Sequence, residues 1–287
     1  MAYKGVKDMR DFNGKVVVIT GAASGIGREM ALAFARRGAR LALADIDAGG
    51  LERVRGELSD LGGSVYTHVI DVSVAAEVEA LCDSVYREMG RVDVLCNNAG
   101  VAVSGWMEDV SIDDWEWQLG PNLWGVIHGC HYFYPRMIAQ GGGGHIVNTA
   151  SGAGLIPLPI TVAYNTTKYA VVGFSETLRA EAALYGIGVS ALCPGFVITG
   201  VVDNARVVSG TKGSTSPELK ERFKRFFARR NYTPDRVAAA AVKGVERNRS
   251  VIVVGPETRL GDISMRLSRG LVIFVMERAA RLIKKYA

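Results

Sequence analysis

Residues 15–27 read KVVVITGAASGIG, and this stretch decides the fold of the chain. Its first six residues form a short β-branched run, which is typical of a buried parallel strand. A glycine-rich turn follows, and residues 28–37 then predict a helix that ends at Gly38. In this order the three elements direct backbone N–H groups and the positive end of the helix dipole at one point, which suits a bound pyrophosphate.

The turn has the spacing G-x-x-x-G-x-G at Gly21, Gly25 and Gly27, with Ser24 and Ile26 between the glycines. Glycine is needed where a phosphate approaches the backbone closely, because a Cβ would block the approach. The commoner dinucleotide fingerprint is G-x-G-x-x-G, and a glycine turn by itself is also consistent with a simple tight turn. The strand before it and the helix after it favour a nucleotide site.

A carboxylate ends the second predicted strand, residues 41–44, at Asp45. At the end of a parallel strand it can accept hydrogen bonds from both ribose hydroxyls of adenosine, and it repels a 2′-phosphate. Neither Ser24 nor Ile46 supplies a compensating positive charge. We therefore expect NAD rather than NADP as the cofactor, and a helix N-cap is the alternative role for this aspartate.

Two further strand-like runs, residues 65–70 and 92–95, also end at polar or small residues. Asp71 and Val72 follow the first run, where a side chain would meet the adenine. The sequence Asn-Asn-Ala-Gly at residues 97–100 follows the second run. Small residues there let the backbone approach a ligand, and the asparagines can tie strands together, although a plain turn explains them equally well.

Tyr164 and Lys168 stand four residues apart, and Ser151 lies thirteen residues before the tyrosine. Positions i and i+4 share a helix face, so a phenol and an ammonium are held side by side. The ammonium stabilises the phenolate and brings its pKa nearer to neutrality, while the serine hydroxyl can hold a carbonyl or alcohol oxygen. Such pairs also occur on solvated helix faces, but the nucleotide signals before this one favour proton transfer coupled to hydride transfer.

Together these pieces resemble the motifs of the short-chain dehydrogenase/reductase family, over residues 12–255. They occur in the order that the family has and with ordinary spacing. The matching positions are Thr20-Gly21-x-x-x-Gly25-Ile26-Gly27, Asp71, Asn97-Asn98-Ala99-Gly100, Asn122, Ser151, Tyr164-x-x-x-Lys168 and Pro194-Gly195.

The resemblance implies a role for each catalytic position. Tyr164 would be the general acid/base, Lys168 would bind the nicotinamide ribose and lower the pKa of the tyrosine, and Ser151 would orient the substrate oxygen. Asn122 would hold a proton-relay water near the lysine, and Thr199 would hydrogen-bond the nicotinamide carboxamide. A polar residue inside a helix and a helix cap are the alternative roles of these last two.

The resemblance also implies the cofactor contacts and the assembly. We expect a homodimer or homotetramer built on the helices of the catalytic side and the final strand. The expected contacts with NAD are Gly21, Ser24, Gly25, Ile26, Gly27, Asp45, Asp71, Val72, Asn98, Ala99, Gly100, Tyr164, Lys168, Pro194, Gly195, Val197 and Thr199.

The whole chain has 287 residues, of which 48% are hydrophobic, and this suffices for one large domain with a buried core. Strand-like and helical runs alternate, with later strands at 145–149, 188–193 and 250–254, as in a parallel sheet covered on both faces. We therefore predict an α/β fold, a Rossmann-type doubly wound sheet in a single domain over residues 1–258. A basic amphipathic extension, 259–287, follows this domain.

The cysteines and histidines do not predict a metal site or a disulfide framework. The four cysteines lie far apart and form no C-x-x-C pair, and the four histidines show no ligand clustering. Residues 1–12 are polar and charged and do not resemble a secretory signal. We expect a cytoplasmic protein without a metal.

The formal charge of +5 is concentrated in the extension, which holds seven basic and two acidic residues. It also carries an apolar run, 271–276, which is too short to cross a bilayer because crossing needs about twenty residues. We expect protein contacts to cover this run, with peripheral association with an anionic membrane as the alternative. We do not expect nucleic-acid binding, because aromatic residues do not interleave with the charges.

Two stretches are expected to build the substrate pocket. Residues 152–160 follow Ser151 and are uncharged, and residues 200–233 form a long insertion in which Phe223, Phe226 and Phe227 share one helical face. The insertion is either a lid that closes over the cofactor and substrate or an ordinary surface helix. An uncharged wall favours a lipophilic substrate, such as a steroid, terpenoid, aryl or long-chain alcohol, whereas the basic lid leaves room for an acyl group on an anionic carrier.

The functional prediction is an NAD-dependent oxidoreductase that interconverts a secondary alcohol and a ketone. Two alternatives remain at this level. One is a nucleotide-sensing protein without turnover, which would not need the proton donor Tyr164. The other is an epimerase or dehydratase with tightly held NAD, for which a chain of this length leaves little room for a separate substrate domain.

Overall fold

The computed structural model describes residues 9–61, 64–197, 205–208 and 232–286. Seven parallel strands form the main sheet, and a two-residue pair, β5 with β8, lies outside it. The strands are β1 (Val16–Thr20), β2 (Arg40–Asp45), β3 (Val65–Val69), β4 (Val94–Asn97), β5 (Val103–Ser104), β6 (Gly144–Thr149), β7 (Ile187–Pro194), β8 (Arg206–Val207) and β9 (Val251–Val254). The order in the main sheet is β3-β2-β1-β4-β6-β7-β9.

Helices cover both faces of this sheet. A π-helical turn, Gly120–Trp124, joins the fourth helix to the fifth. The helices are α1 (Gly25–Ala35), α2 (Ala48–Ser59), α3 (Ala75–Met89), α4 (Ile112–Leu119), α5 (Gly125–Gln140), α6 (Val162–Ala182), α7 (Pro234–Glu246), α8 (Pro256–Leu267) and α9 (Arg269–Tyr286).

The first strand shows why the sheet needs helices on both sides. Val16, Val17, Val18 and Ile19 are all fully buried, and alternate residues of a strand point to opposite faces. Val17 and Ile19 pack in the cluster that includes apolar residues of α1, α2 and α7, whereas Val16 and Val18 pack in the cluster that includes those of α3, α5 and α6. A continuous β-branched run therefore belongs at the centre of a doubly covered sheet.

The strand order reverses between β1 and β4, because the chain first adds β2 and β3 on one side and then β4, β6, β7 and β9 on the other. At such a reversal the connections leave in opposite directions and open a crevice at the carboxyl ends of the strands. The glycine turn after β1 lies at this crevice. The predicted α/β fold, with its doubly wound parallel sheet, is confirmed.

The sequence placed the later strands within two residues of their observed bounds, and the helix predicted from residue 28 begins three residues earlier, at Gly25. Thr199 and most of the predicted lid, including its phenylalanine stripe, lie outside the described residues. The described part of the insertion contributes β8, which pairs with β5 beside the crevice.

The extension contains most of α8, which begins before it at Pro256, and all of α9. The inner side of α9 packs on the domain through Val272, which is 7% exposed. Near its other end, Lys284 Nζ lies 2.8 Å from Glu108 Oε1 and 4.6 Å from the centroid of the Trp106 ring. Across the described ranges, no helix has the length and apolar character that crossing a membrane requires.

Candidate active site

One cavity of about 1010 Å³ opens at the carboxyl ends of the central strands. It extends from the glycine turn past the ends of β2, β3 and β4 to the loop after β6 and the turn after β7. Every site residue predicted from the sequence and described in the structure lines it, except Gly27 and Asn122. The parallel topology therefore gathers into one site residues that are up to about 180 positions apart in the chain.

The start of α1 is suited to hold phosphate. Ser24 is the N-cap residue, its side chain makes no capping hydrogen bond, and the first turn of the helix contains no acidic residue. The backbone N–H groups at this end and the helix dipole are therefore directed at the cavity, which Gly21, Gly25 and Ile26 also line.

Gly27 acts behind this turn and not in the cavity. A Cβ on Gly27 would lie 2.0 Å from the carbonyl oxygen of Gly21 and 2.7 Å from Asn98 Nδ2. Gly21 itself has a φ of +65°, and a Cβ there would lie 2.7 Å from Ala99 Cα. Gly27 is needed for the packing of helix against turn and does not line the described cavity, and its contact with the cofactor stays a prediction.

Asp45 holds the end of β2 and lines the cavity. Its Oδ2 accepts the N–H of Ala23 at 2.9 Å, and its Oδ1 accepts the N–H of Asp47 at 3.0 Å. These two bonds fix the carboxylate beside the glycine turn and leave further lone pairs on both oxygens for ribose hydroxyls. Asp47 is the residue that caps α2, so the alternative N-cap role does not fall to Asp45.

Thr20 connects the ends of β1 and β4, although the sequence analysis gave it no role. Its Oγ1 accepts the N–H groups of Asn98 and Ala99, at 2.9 and 3.1 Å. The Asn98 amide donates back to the carbonyl oxygen of Thr20 at 3.1 Å. Asn97 Nδ2 donates to Asn148 Oδ1 of β6 at 2.9 Å, so the two asparagines tie neighbouring strands as expected.

Ser151 and Tyr164 come together because one asparagine fastens the loop between them. Ser151 follows β6, and Tyr164 lies in the first turn of α6. Asn165 Nδ2 donates to the carbonyl oxygens of Ala153 at 2.9 Å and Ile156 at 2.8 Å. The sequence analysis gave Asn165 no role, and its place next to Tyr164 is the signal that could have indicated one, because a buried amide needs hydrogen-bond partners.

Burial raises the pKa of the Tyr164 phenol, and a hydrogen bond with the Ser151 side chain opposes this rise without cancelling it. The pKa of this tyrosine is therefore raised, not lowered as the sequence predicted. The Lys168 Nζ lies 5.6 Å from the centroid of the phenol ring. It donates instead to the carbonyl oxygen of Thr149 at 2.9 Å.

Lys168 is 4% exposed, and its burial lowers the pKa of its ammonium to about 8. A cation in such a place is costly because water no longer solvates it. The ammonium nevertheless keeps its proton at neutral pH, since its pKa lies above 7. It can therefore donate hydrogen bonds into the cavity.

Asn122 lies in the π-helical turn between α4 and α5 and is fully buried. Its Oδ1 accepts the N–H of Val101 at 2.7 Å, and its Nδ2 donates to the carbonyl oxygen of the same residue at 2.9 Å. A Cβ on Gly100 would lie 3.0 Å from Asn122 Oδ1 and 3.7 Å from Lys168 Nζ, so the amide and the ammonium meet at this glycine. π-turns often mark functional sites, and this one fixes the strand-end loop beside the lysine.

The turn after β7 bounds the other end of the cavity. Pro194, Gly195 and Val197 line it as predicted. A Cβ on Gly195 would lie 2.5 Å from Glu257 Oε1 and 2.7 Å from Thr258 Oγ1. These two residues at the start of α8 also line the cavity, and the sequence analysis missed them because nothing local placed the start of this helix beside the turn.

The substrate end of the cavity is mainly apolar. Its described wall includes the expected loop after Ser151, through Ile156 and Leu158, and it also includes residues of α9 that were not expected there. The additional apolar lining residues include Val101, Val103, Val207, Leu271, Val272, Val275 and Met276.

Known proteins resemble this chain in sequence and in structure. The sequence profile of the family described as short chain dehydrogenase matches residues 15–207. "Probable oxidoreductase EphD" of Mycobacterium tuberculosis is 40% identical over 247 residues, which cover 86% of this chain and 42% of that protein. This chain therefore spans less than half the length of that relative.

Two further relatives match over most of their own length. "D-threitol dehydrogenase" of Mycolicibacterium smegmatis is 40% identical over 230 residues, which cover 80% of this chain and 85% of that protein. A crystal structure of a short-chain dehydrogenase/reductase from Burkholderia phymatum in complex with NAD has a TM-score of 0.82 and 37% identity, covering 90% of this chain and 96% of the other. The extent of these matches, together with the glycine turn and the Ser151, Tyr164 and Lys168 constellation, shows that the chain belongs to the short-chain dehydrogenase/reductase family.

Proposed function

We propose that the protein is an NAD-dependent oxidoreductase that interconverts a secondary alcohol and a ketone. The observation that carries the proposal is that Ser151, Tyr164 and Lys168 line the same cavity as the glycine turn at the start of α1. The relative solved with NAD and the relative named D-threitol dehydrogenase support it. The turn and Asp45 fit the pyrophosphate and the adenosine ribose of such a cofactor.

NAD(H), when bound, supplies the acceptor or donor of hydride. During oxidation Tyr164 takes the proton of the substrate hydroxyl, and during reduction it returns a proton to the carbonyl oxygen. Ser151 donates a hydrogen bond to the same oxygen and holds it beside the phenol. Lys168 binds the ribose hydroxyls and adds positive charge near the phenolate. The raised pKa of the tyrosine implies that oxidation speeds up toward alkaline pH, because the phenol must first lose its proton.

Asp45 makes NAD the preferred cofactor in this proposal. The described residues that line the same end of the cavity also include Asp47 and Asp71, and this end has no basic lining residue within the described ranges. A 2′-phosphate would face these carboxylates without a cationic partner, and like charges at close range disfavour binding.

The proposed substrate is a lipophilic, uncharged alcohol or ketone. Apolar side chains dominate the substrate end, and the charged groups in the described wall there are Glu116, Glu257 and Lys168. A substrate carboxylate would meet two like charges, whereas an aryl, terpenoid or long-chain alcohol would bury its surface at about 25 cal/mol per Å². We further propose a homodimer or homotetramer, which light scattering would test.

The decisive experiment follows the absorbance of NADH with a panel of lipophilic alcohols and ketones. Tyr164→Phe should retain NADH binding and lose nearly all turnover. Tyr169→Phe is the matched control, because it lies on the same helix and does not line the cavity. Substantial turnover by Tyr164→Phe would contradict the assigned acid/base. Product without net NADH change would favour an epimerase, and NADH binding with no product would favour a sensor.

A further inference from the structure

The last two helices expose an unusual amount of apolar surface. Eight of the eighteen large hydrophobic side chains exposed in the described structure lie in α8 and α9. The terminal patch, as we call it, is formed by Leu260, Ile263 and Leu267 of α8 and Leu271, Phe274 and Val275 of α9, and Leu267 is 82% exposed. Apolar patches of this kind mark contact with another surface.

The helices that carry the terminal patch are basic overall. Residues 256–286 contain seven basic and three acidic residues, a net charge of +4, while the whole chain has a net charge of +5. Arg269 and Arg281 are exposed on the same helix as Phe274. An amphipathic helix with basic residues beside exposed apolar ones is typical of helices that lie in the plane of a membrane surface.

The terminal patch is continuous with the mouth of the active-site cavity. Leu260, Leu271 and Val275 are 68%, 60% and 49% exposed, and all three also line the cavity. An apolar path therefore leads from the molecular surface to the interior. A lipophilic molecule held in a contacting layer could follow this path without crossing water.

A second copy of the chain fits the terminal patch less well than an anionic layer does. In a two-fold dimer the same patch meets itself, so the net charge of +4 on each copy would oppose the same charge on the other. Like charges that face each other across an interface disfavour association. Anionic lipid head groups instead complement the arginines, while the acyl boundary accepts the apolar side chains.

We propose that the terminal patch docks peripherally on an anionic lipid surface, with the mouth of the cavity facing the lipid. The lipid would then be the source from which an apolar substrate enters. The surface contact rests on the charge and exposure of α8 and α9 and not on the proposed reaction, so failure of the alcohol and ketone panel would leave it standing. The route of the substrate rests on the proposed function.

Vesicle co-sedimentation of the full chain tests the proposal. Phosphatidylcholine vesicles with phosphatidylglycerol should bind the protein at least about tenfold more tightly than phosphatidylcholine alone, and added salt should weaken the binding. Ile263→Ser combined with Leu267→Ser should weaken binding about tenfold or more. Arg269→Gln combined with Arg281→Gln should weaken it by about fivefold for each charge removed.

Leu184→Ser is the matched control, because Leu184 is 72% exposed and lies just before β7, at the amino-terminal edge of the sheet, away from the cavity. This variant should bind vesicles as the wild type does. Equal binding to vesicles with and without phosphatidylglycerol would overturn the proposal. A lower particle mass in light scattering of the Ile263→Ser, Leu267→Ser variant would also overturn it. That result would show that a second copy covers the terminal patch.

Discussion

Replacing the buried lysine with methionine should stabilise the fold while it abolishes turnover. Lys168 is 4% exposed, and burial lowers the pKa of its ammonium from 10.5 to about 8. The lower pKa means that the folded protein holds the proton of Lys168 less tightly than the unfolded chain does. At about 1.36 kcal/mol for each pKa unit, the buried charge costs roughly 3 kcal/mol of folding free energy at neutral pH.

Methionine has a similar length and no charge, so Lys168→Met removes this cost. It also removes the hydrogen bond from Nζ to the carbonyl oxygen of Thr149, which measures 2.9 Å. An unsatisfied buried carbonyl costs about 1–3 kcal/mol. We therefore expect the variant to be more stable than the wild type at pH 7, by up to about 2 kcal/mol, which urea unfolding measures.

The pH dependence of the stability difference between Lys168→Met and the wild type gives the sharper test, because the lowered pKa of the lysine fixes its sign. Below pH 8 the folded lysine is protonated and its full cost is present. As the pH rises from about 8 toward 10.5, the folded protein loses the proton before the unfolded chain does, so the wild type gains stability relative to the variant. The advantage of Lys168→Met should therefore shrink with a slope approaching 1.36 kcal/mol per pH unit, about the limit for one proton.

Lys243→Met supplies the control, since Lys243 is exposed on α7. Its effect on the free energy of unfolding should be small, because this side chain is exposed. A Lys168→Met variant that is less stable than the wild type at pH 7 would refute the reasoning. A stability difference that stays flat between pH 7 and pH 10 would refute it as well.

Three further changes test other parts of the site. Gly27→Ala should destabilise the protein by about 3 kcal/mol or more in urea unfolding, because the new Cβ would lie 2.0 Å from a backbone oxygen. Gly56→Ala in α2 is the control: its Cβ would meet no described atom within 4 Å, so this change should stabilise the protein by about 0.5–1 kcal/mol. Asp45→Ala should narrow the preference for NADH over NADPH by about tenfold in fluorescence titration, and an unchanged ratio would contradict the role of its carboxylate. Val272→Phe should lower kcat/KM for bulky alcohols about tenfold or more and leave the Kd of NADH unchanged, and equal losses for small and bulky alcohols would contradict its place in the cavity wall.

Local patterns predicted the nucleotide half of the site because local chemistry determines it. The run at residues 16–19 is β-branched throughout, and only a strand buried on both faces accommodates such a run. The glycines that follow are required by close backbone approaches within the same unit, as the 2.7 Å distance from a Cβ on Gly21 to Ala99 Cα illustrates. Parallel topology then brings the strand ends together, so the places of Asp45 and Asn98 in the site could be predicted without long-range information.

The substrate half was less predictable because distant parts of the chain build it. Nothing local indicates that Val272 would lie in the wall of a cavity whose glycine turn is at residues 21–27. The same applies to Glu257 and Thr258, which reach the turn after β7 only through the fold. The pKa of Tyr164 was predicted with the wrong sign, because the i+4 spacing reveals the neighbouring ammonium but not the burial of both groups.

Two features of the catalytic region oppose stability, and hydrogen bonds from nearby residues hold the segments that carry them. Lys168 buries a charge, and Ile160 has a φ of +59°, which a β-branched residue rarely adopts. The carbonyl oxygen of Ile160 accepts the N–H of Gly105 at 2.8 Å and the Ser104 hydroxyl at 3.1 Å. These bonds join the loop that contains Ile160 to β5 and the residue after it, beside the cavity. Asn165 of α6 holds the earlier part of this loop through the carbonyl oxygens of Ala153 and Ile156. The doubly covered sheet contributes enough stability to retain both features. The polar side chains around the site therefore fix its geometry, and changes to them should lower turnover.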